Sequence, residues 1–260
     1  MKQTGKITAI ILAAGQGTRL RPYTDHIPKC MVEVNGKPMI QWQIDVLKSA
    51  GVHQIIAVTG YREDKIPSDG ITKIFNPEFA DTNMVYSLFC AEKYIEGDLL
   101  ICYGDIVYSK KNAEKLINNQ NDIVIAADED WKQYWSERFD DPLSDAETFI
   151  KSPGQKVKSL GKKAETANQI ESQYIGLTRL SPEGCNIFRE LYHIENNDPD
   201  RRKNAWSSGR TIENAYMTDF LNYIADSGKL HYQPIHGEWF EVDDPVDLKI
   251  AEKKIGDLIR

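Results

Sequence analysis

Four cysteines in 260 residues, at positions 30, 90, 102 and 185, leave no CxxC spacing and no cluster. That absence excludes a structural zinc site and a disulfide framework, and it points to the reducing cytoplasm. Long apolar runs are missing too. Nothing approaches the ~18 residues a membrane-crossing helix needs, so no membrane partner is expected. The short stretch "ITAIILAAG", preceded by Lys2 and Lys6, leads straight into a charged loop and is not read as a cleaved leader. Basic residues are outnumbered, 32 Lys and Arg against 39 Asp and Glu, giving a net charge of -7. A nucleic-acid surface needs the opposite balance. Internal repeats and low-complexity tracts are absent, and the 5 histidines are scattered without the Ser and Asp partners of a nucleophilic triad.

A 41% hydrophobic composition supplies a real core. Strand-like runs ("ITAIIL", "QIIAVTG", "TKIF", "DLLICYGD", "DIVIAAD") alternate with helix-like ones, among them "PMIQWQIDVLKSAG", with Ile40, Ile44 and Leu47 on one face. In "TNMVYSLFCAEKYI", Thr82 is the expected cap. Such alternation predicts an α/β fold with a mainly parallel sheet and ligands at the carboxyl ends of its strands. After Asp128 the pattern changes: "ETFIKSPGQKVKSLGKK" and "ESQYIGLTRLS" read as a small antiparallel sheet, and helices return in the tail.

The odd element is the loop after the first strand, "LAAGQGTRLRPYTDHIPK". Through residue 38 the chain carries six basic residues (Lys2, Lys6, Arg19, Arg21, Lys29, Lys37) against Asp25 and Glu33, a local excess of positive charge in an acidic protein. A glycine turn after a strand lets backbone N–H groups converge on an anion, which is phosphate chemistry. Neither the dinucleotide fingerprint nor the Walker A pattern fits, since Leu20 stands where the third glycine belongs and no G-K-[ST] follows. Carboxylates stand at two strand ends: Asp105 in "LLICYGD", where it also reads as a turn aspartate beside Gly104, and the pair Glu241 and Asp243 in "WFEVDDPVDL". Asp244 before Pro245 is better spent as a helix cap, while alternation puts Glu241 and Asp243 on one strand face.

Together, "LAAGQGTRLRP" and "PKCMVEVNGKPMI" resemble the signature of the nucleotidyltransferase family that includes sugar-1-phosphate nucleotidylyltransferases and small-alcohol-phosphate cytidylyltransferases. The resemblance implies a Rossmann-like three-layer sandwich with a mixed, mainly parallel sheet. It implies one domain over 1–260, with a nucleotide-binding half over 1–128 and an acceptor-binding half with C-terminal helices over 129–260. By resemblance the loop Leu12, Ala13, Ala14, Gly15, Gln16, Gly17 and Thr18 cradles a triphosphate, Arg19 binds its departing part and Lys29 neutralises charge at the α-phosphate. Gly60 and Tyr61 in "VTGYRED", and Asn83, match segments that contact base and ribose. Asp105 and Asp243, with Glu241 assisting, match the magnesium site. The pattern around Asn83 resembles the cytidylyltransferase branch, hence CTP.

On the acceptor side, a helix from Asp130 places Trp131, Trp135 and Arg138 at i, i+4 and i+7, either as a core-facing stripe or as a pocket wall. As a pocket, the aromatics suit a cation, whereas Arg138 suits a carboxylate. The segments "DTNMVYSLFCAEKY", "DWKQYWSERFDDPLSDAETF" and "IESQYIGL", the last carrying Tyr174, resemble the cytidylyltransferases that act on phosphoglutamine in capsule phosphoramidate synthesis. Their partners would be CTP and glutamine phosphorylated on its amide nitrogen. Phosphocholine, phosphonate or sugar-1-phosphate acceptors, a homo-oligomer, and a nucleotide-binding regulator without catalysis remain open.

Overall fold

The fold, taken from a computed structural model, is described for residues 6–258, so Lys2 lies outside the described residues. Strand β1 (Ile7–Ala13) shows how the layers arise. Its side chains alternate, Ile7, Ala9 and Ile11 entering one apolar cluster and Ile10 and Leu12 another on the opposite face. A strand buried on both faces belongs at the centre of a helix-covered sheet. β1 is flanked there by β4 (Val52–Thr59) and β6 (Asp98–Tyr103), both parallel to it, and β5 (Thr72–Phe75) lies outside β4. The short pair β2 (Glu33–Val34) and β3 (Lys37–Pro38) forms a separate ribbon.

The first layer of helices comprises α1 (Met39–Ser49), α3 (Lys110–Ile117), α4 (Trp131–Arg138) and α7 (Pro245–Leu258). The second comprises α2 (Met84–Cys90), α5 (Pro182–Asn196) and α6 (Met217–Asp226). The three-layer sandwich with a mixed sheet is therefore as the resemblance implied. The remaining strands of the sheet are β8 (Ile123–Asp128), β9 (Glu147–Ser152), β10 (Lys156–Lys163), β11 (Gln173–Leu180) and β12 (Leu230–Ile235), giving the order β5-β4-β1-β6-β11-β8-β12-β10-β9. Only β10 and β11 run against the others.

Two local expectations are corrected. The segments read as a small separate sheet join the main one: β11 inserts between β6 and β8, and the hairpin β9–β10 extends one edge. Long-range pairing decided this, and local sequence does not encode it. Small antiparallel sheets do exist, but from other residues; one pairs β7 (Ile106–Tyr108) with β13 (Trp239–Glu241). Helix α2 is capped by Asn83, whose side chain accepts from the Met84 N–H at 2.8 Å. Thr82 instead donates to the Glu78 carbonyl.

Candidate active site

The glycine loop leaves the end of β1 with three of its carbonyls engaged within the protein. Ala14 O accepts from Tyr61 N, Gly15 O from Lys29 N, and Gly17 O from Leu20 N and the Thr24 hydroxyl. Among the described residues, no N–H of residues 15–18 has an acceptor, so these donors stay available to an anion. Gly17 sits at φ +70, and a Cβ there would also press on the Lys29 side chain at 2.9 Å. Gly60 and Tyr61 stand behind the loop and brace it, the Tyr61 hydroxyl donating to Asp25 O. A Cβ on Gly60 would lie 2.8 Å from Ala14 O.

In front of the loop is a cavity lined by Leu12, Ala13, Ala14, Gly15, Lys29, Asn83 and Asp105 together with Phe79, Thr82, Met84, Ser87 and Tyr103. Gln16, Gly17, Thr18, Gly60 and Tyr61 complete or support the turn without lining it. Phe79 and Ser87 were missed by sequence reasoning. Both fall in "FNPEFADTNMVYSL", whose likeness to base- and ribose-contacting segments singles out Asn83 rather than either of them; Ser87 is turned inward on α2 and accepts from Asn76.

A second cavity adjoins the first, sharing Met84 and Tyr103, and is lined by Trp135, Tyr174, Glu241 and Asp243. Asp145, Glu147, Gln173, Tyr216 and Thr218, unremarked in the sequence, also line it. The Trp135 indole N–H donates to Asp145 at 3.1 Å. Burial and the neighbouring Asp145 and Asp219, opposed by Arg210, push the Glu147 carboxyl up to about 7.

Where the cavities meet, the pairing of β7 with β13 sets Ile106 opposite Glu241, and Val242 N donates to Asp105 O at 3.0 Å. This brings Asp105, Glu241 and Asp243 together, with one oxygen of each within 4.8 Å of the others. Lys29 Nζ donates to Asp105 at 2.6 Å and to Asp243. Burial opposes the lysine's charge, but Asp105, Asp243 and Glu241 outweigh it and raise its pKa above the ordinary lysine value. Arg19 reaches Asp243 at 3.0 Å from an exposed position. Asp243 is held below the usual carboxylate range by Lys29, Arg19 and Arg138 in spite of burial. Glu241 shifts upward because it is buried beside Asp243, a push only partly offset by Arg138.

Arg138 is the main correction. Its side chain has 0% exposure, pairs in bidentate fashion with Asp247 at 2.8 and 3.0 Å, and reaches Glu241 at 2.8 Å. A guanidinium so enclosed is closed to an acceptor's carboxylate. Asp247 also accepts from Asp243 N at 3.0 Å, so the Arg138–Asp247 pair braces the end of β13 and the turn after it, where Glu241 and Asp243 stand. Asp247 reads in sequence as an ordinary first-turn helix acid, and its partner lies 109 positions away. Trp131 is likewise core, buried against the aromatic cluster of α4 and lining neither cavity. Asp244 caps α7 through Val246 N and Asp247 N, as its proline neighbour suggested.

The carboxylate cluster suits a divalent cation. Asp105 Oδ1 is buried without a hydrogen-bond partner, an acceptor held ready for a cation. Four carboxyl groups (Asp105, Glu241, Asp243, Asp247) surround three cations (Arg19, Lys29, Arg138), and a divalent cation beside Glu241 and Asp243 would favour the ionised form of Glu241 that its neighbours disfavour. Hard oxygen ligands of this kind suit magnesium-like ions.

A parallel strand ending in a free-amide glycine loop, with a partly buried lysine among clustered carboxylates, is suited to hold a polyphosphate beside a divalent cation, and comparison with known proteins places the chain among nucleotidyltransferases. The chain belongs to the family of the MobA-like NTP transferase domain, whose model matches residues 9–157. It is 37% identical, over 95% of its length and 100% of the relative, to a CTP:phosphoglutamine cytidylyltransferase of Campylobacter jejuni. A choline-phosphate cytidylyltransferase of Streptococcus pneumoniae is 42% identical over a stretch covering 36% of this chain and 42% of that protein. Among solved structures, a CTP:phosphocholine cytidylyltransferase of Streptococcus pneumoniae superposes with a TM-score of 0.71 at 23% identity, covering 96% of this chain and 100% of that one. No helix among the described residues is long and apolar enough to cross a membrane.

Proposed function

We propose that the chain transfers CMP from CTP to phosphoglutamine, giving CDP-glutamine and pyrophosphate. The observation that carries this reading is the junction itself: two cavities meeting at Lys29 and the Asp105–Glu241–Asp243 cluster, in a chain 37% identical to a phosphoglutamine enzyme along nearly its whole length. A phosphoryl oxygen of the acceptor attacks the α-phosphorus, the new P–O bond forms as the bond to pyrophosphate breaks, and the electron pair leaves with pyrophosphate. The nucleophile is already anionic, so the protein's task is alignment and charge screening rather than deprotonation.

The free amides of the glycine loop hold the triphosphate at the edge of the first cavity, which Gly15 lines. Lys29, fixed between two carboxylates, meets charge at the α-phosphate, and Arg19 meets the departing pyrophosphate. Mg2+ held by Asp105 and Asp243, with Glu241, would supply Lewis-acid polarisation of phosphate oxygens. The second cavity takes the acceptor, with Trp135 and Tyr174 in its wall. Its carboxylates agree with acceptors that bear a nitrogen cation, as glutamine's α-amino group and choline both do. The test is pyrophosphate release across four nucleoside triphosphates and a set of acceptors (phosphoglutamine, phosphocholine, a phosphonate, a sugar 1-phosphate). CTP with phosphoglutamine should give the highest kcat/KM, and preference for another pair would replace this reading.

A further inference from the structure

With Arg138 enclosed, an acceptor that carries a carboxylate needs another cation, and the rim of the second cavity holds one. Arg210 lies over the ring of Tyr216, a residue of the cavity lining, with the guanidinium 4.4 Å from the ring centroid. Its side chain is 41% exposed. Only Nη1 is engaged, by Asp219 at 3.1 and 3.3 Å; among the described residues Nε and Nη2 have no protein acceptor. Asp219 is itself fixed, since it accepts from Tyr216 N at the start of α6. The arginine is therefore anchored through one nitrogen and a ring face while the rest of its fork is free for a planar anion.

Inside the same cavity, Glu147 is placed by its backbone: its N–H and carbonyl are both tied to the Gln173 side chain. Its carboxylate receives no hydrogen bond from any described residue, and Asp145 stands two positions away on the same lining. A cavity wall with an unpaired carboxylate and a half-free guanidinium at its mouth offers opposite charges to one ligand.

Resting on the phosphoglutamine reading above, we infer that Glu147, with Asp145, pairs with the acceptor's α-ammonium and that Arg210 pairs with its α-carboxylate, so that the second cavity selects an α-amino acid head group. Trp135 and Tyr174 then line the path of the side chain toward the phosphoryl group. Choline-type acceptors, lacking the carboxylate, would use only half of this arrangement.

The test measures pyrophosphate release for the wild type, Arg210→Ala, Arg210→Lys and Glu147→Gln. The acceptors are phosphoglutamine, the analogue lacking the α-amino group and the analogue lacking the α-carboxylate. Arg210→Ala should raise KM for phosphoglutamine roughly tenfold to a hundredfold, as expected for loss of a charge-assisted pair, and leave KM for CTP unchanged. Lysine should rescue part of that loss. The carboxylate-free analogue should be indifferent to Arg210→Ala, and the amine-free analogue indifferent to Glu147→Gln. Equal effects of Arg210→Ala on both the full acceptor and the carboxylate-free analogue, or no effect on either, would overturn the inference while wild-type turnover of phosphoglutamine still upheld the reading beneath it. No wild-type turnover of phosphoglutamine would overturn both.

Discussion

Replacing Arg138 by alanine removes a cation that three carboxylates share. In the folded protein Arg138 has no exposed side-chain surface, Asp247 is 2% exposed, and Glu241 and Asp243 lie at 2.8 and 3.7 Å from the guanidinium. The pair with Asp247 gains little over two apolar residues, because both charges were taken out of water to form it. Breaking it from one side is a different matter, since the partner carboxylate stays buried without compensation. Such one-sided loss costs about 3–5 kcal/mol. For a chain of this size each kcal/mol moves the melting temperature by roughly 2–4 °C, so the variant should melt roughly 6–20 °C lower. A second consequence is specific to the site. Without Arg138, Glu241 loses its 2.8 Å partner and Asp247, which accepts from Asp243 N, loses the guanidinium that orients it, so divalent-cation affinity, read by Mn2+ titration at a temperature where the variant is folded, should fall. Thermal unfolding followed by circular dichroism and acceptor kinetics would be measured on the same preparation. A melting temperature within a degree or two of wild type, with only the acceptor KM raised, would refute the argument and restore Arg138 as an acceptor ligand.

Lys29→Ala should lower kcat by ~10² to 10³ while leaving CTP binding, measured by calorimetry, largely intact, because the charge it meets grows in the transition state. Asp105→Asn and Asp243→Asn should each abolish metal-dependent turnover, whereas Asp244→Asn should retain it, since asparagine caps a helix about as well as aspartate. The pH profile of kcat/KM for the acceptor should rise through about pH 7 as Glu147 ionises among Asp145, Asp219, Arg210, Tyr103 and Tyr174. The sign follows from its raised pKa: below that pH the carboxyl is protonated and cannot pair with an ammonium. Glu147→Gln should flatten that limb of the profile, and an unchanged limb would assign it to the acceptor's own phosphoryl group.

What the sequence made legible was local chemistry. The strand Ile7–Ala13 and its glycine loop could be read because burial on both faces demands an unbroken apolar run, and positive φ at the turn demands Gly17. Asp243 could be told from Asp244 because Pro245 marks a helix start and so assigns Asp244 to the cap. Partnerships between distant segments were not legible. Arg138 and Asp247 are 109 residues apart, and each has an ordinary local reading, one as a last-turn helix cation and the other as a first-turn acid. The insertion of β11 between β6 and β8 is likewise a matter of long-range pairing, and it places Tyr174 and Gln173 on the second cavity. The stripe of Trp131, Trp135 and Arg138 does share one helix face, but period alone does not say whether that face meets core or cavity, and only Trp135 reaches the cavity.

Incubating the purified chain with CTP, phosphoglutamine and Mg2+, and following pyrophosphate by a coupled assay and the nucleotide product by mass spectrometry, decides whether the chain makes CDP-glutamine. Pyrophosphate and CDP-glutamine should form in equal amounts, and only when metal and both substrates are present. Absence of CDP-glutamine, with turnover of CTP on another acceptor or none at all, would contradict the proposed function.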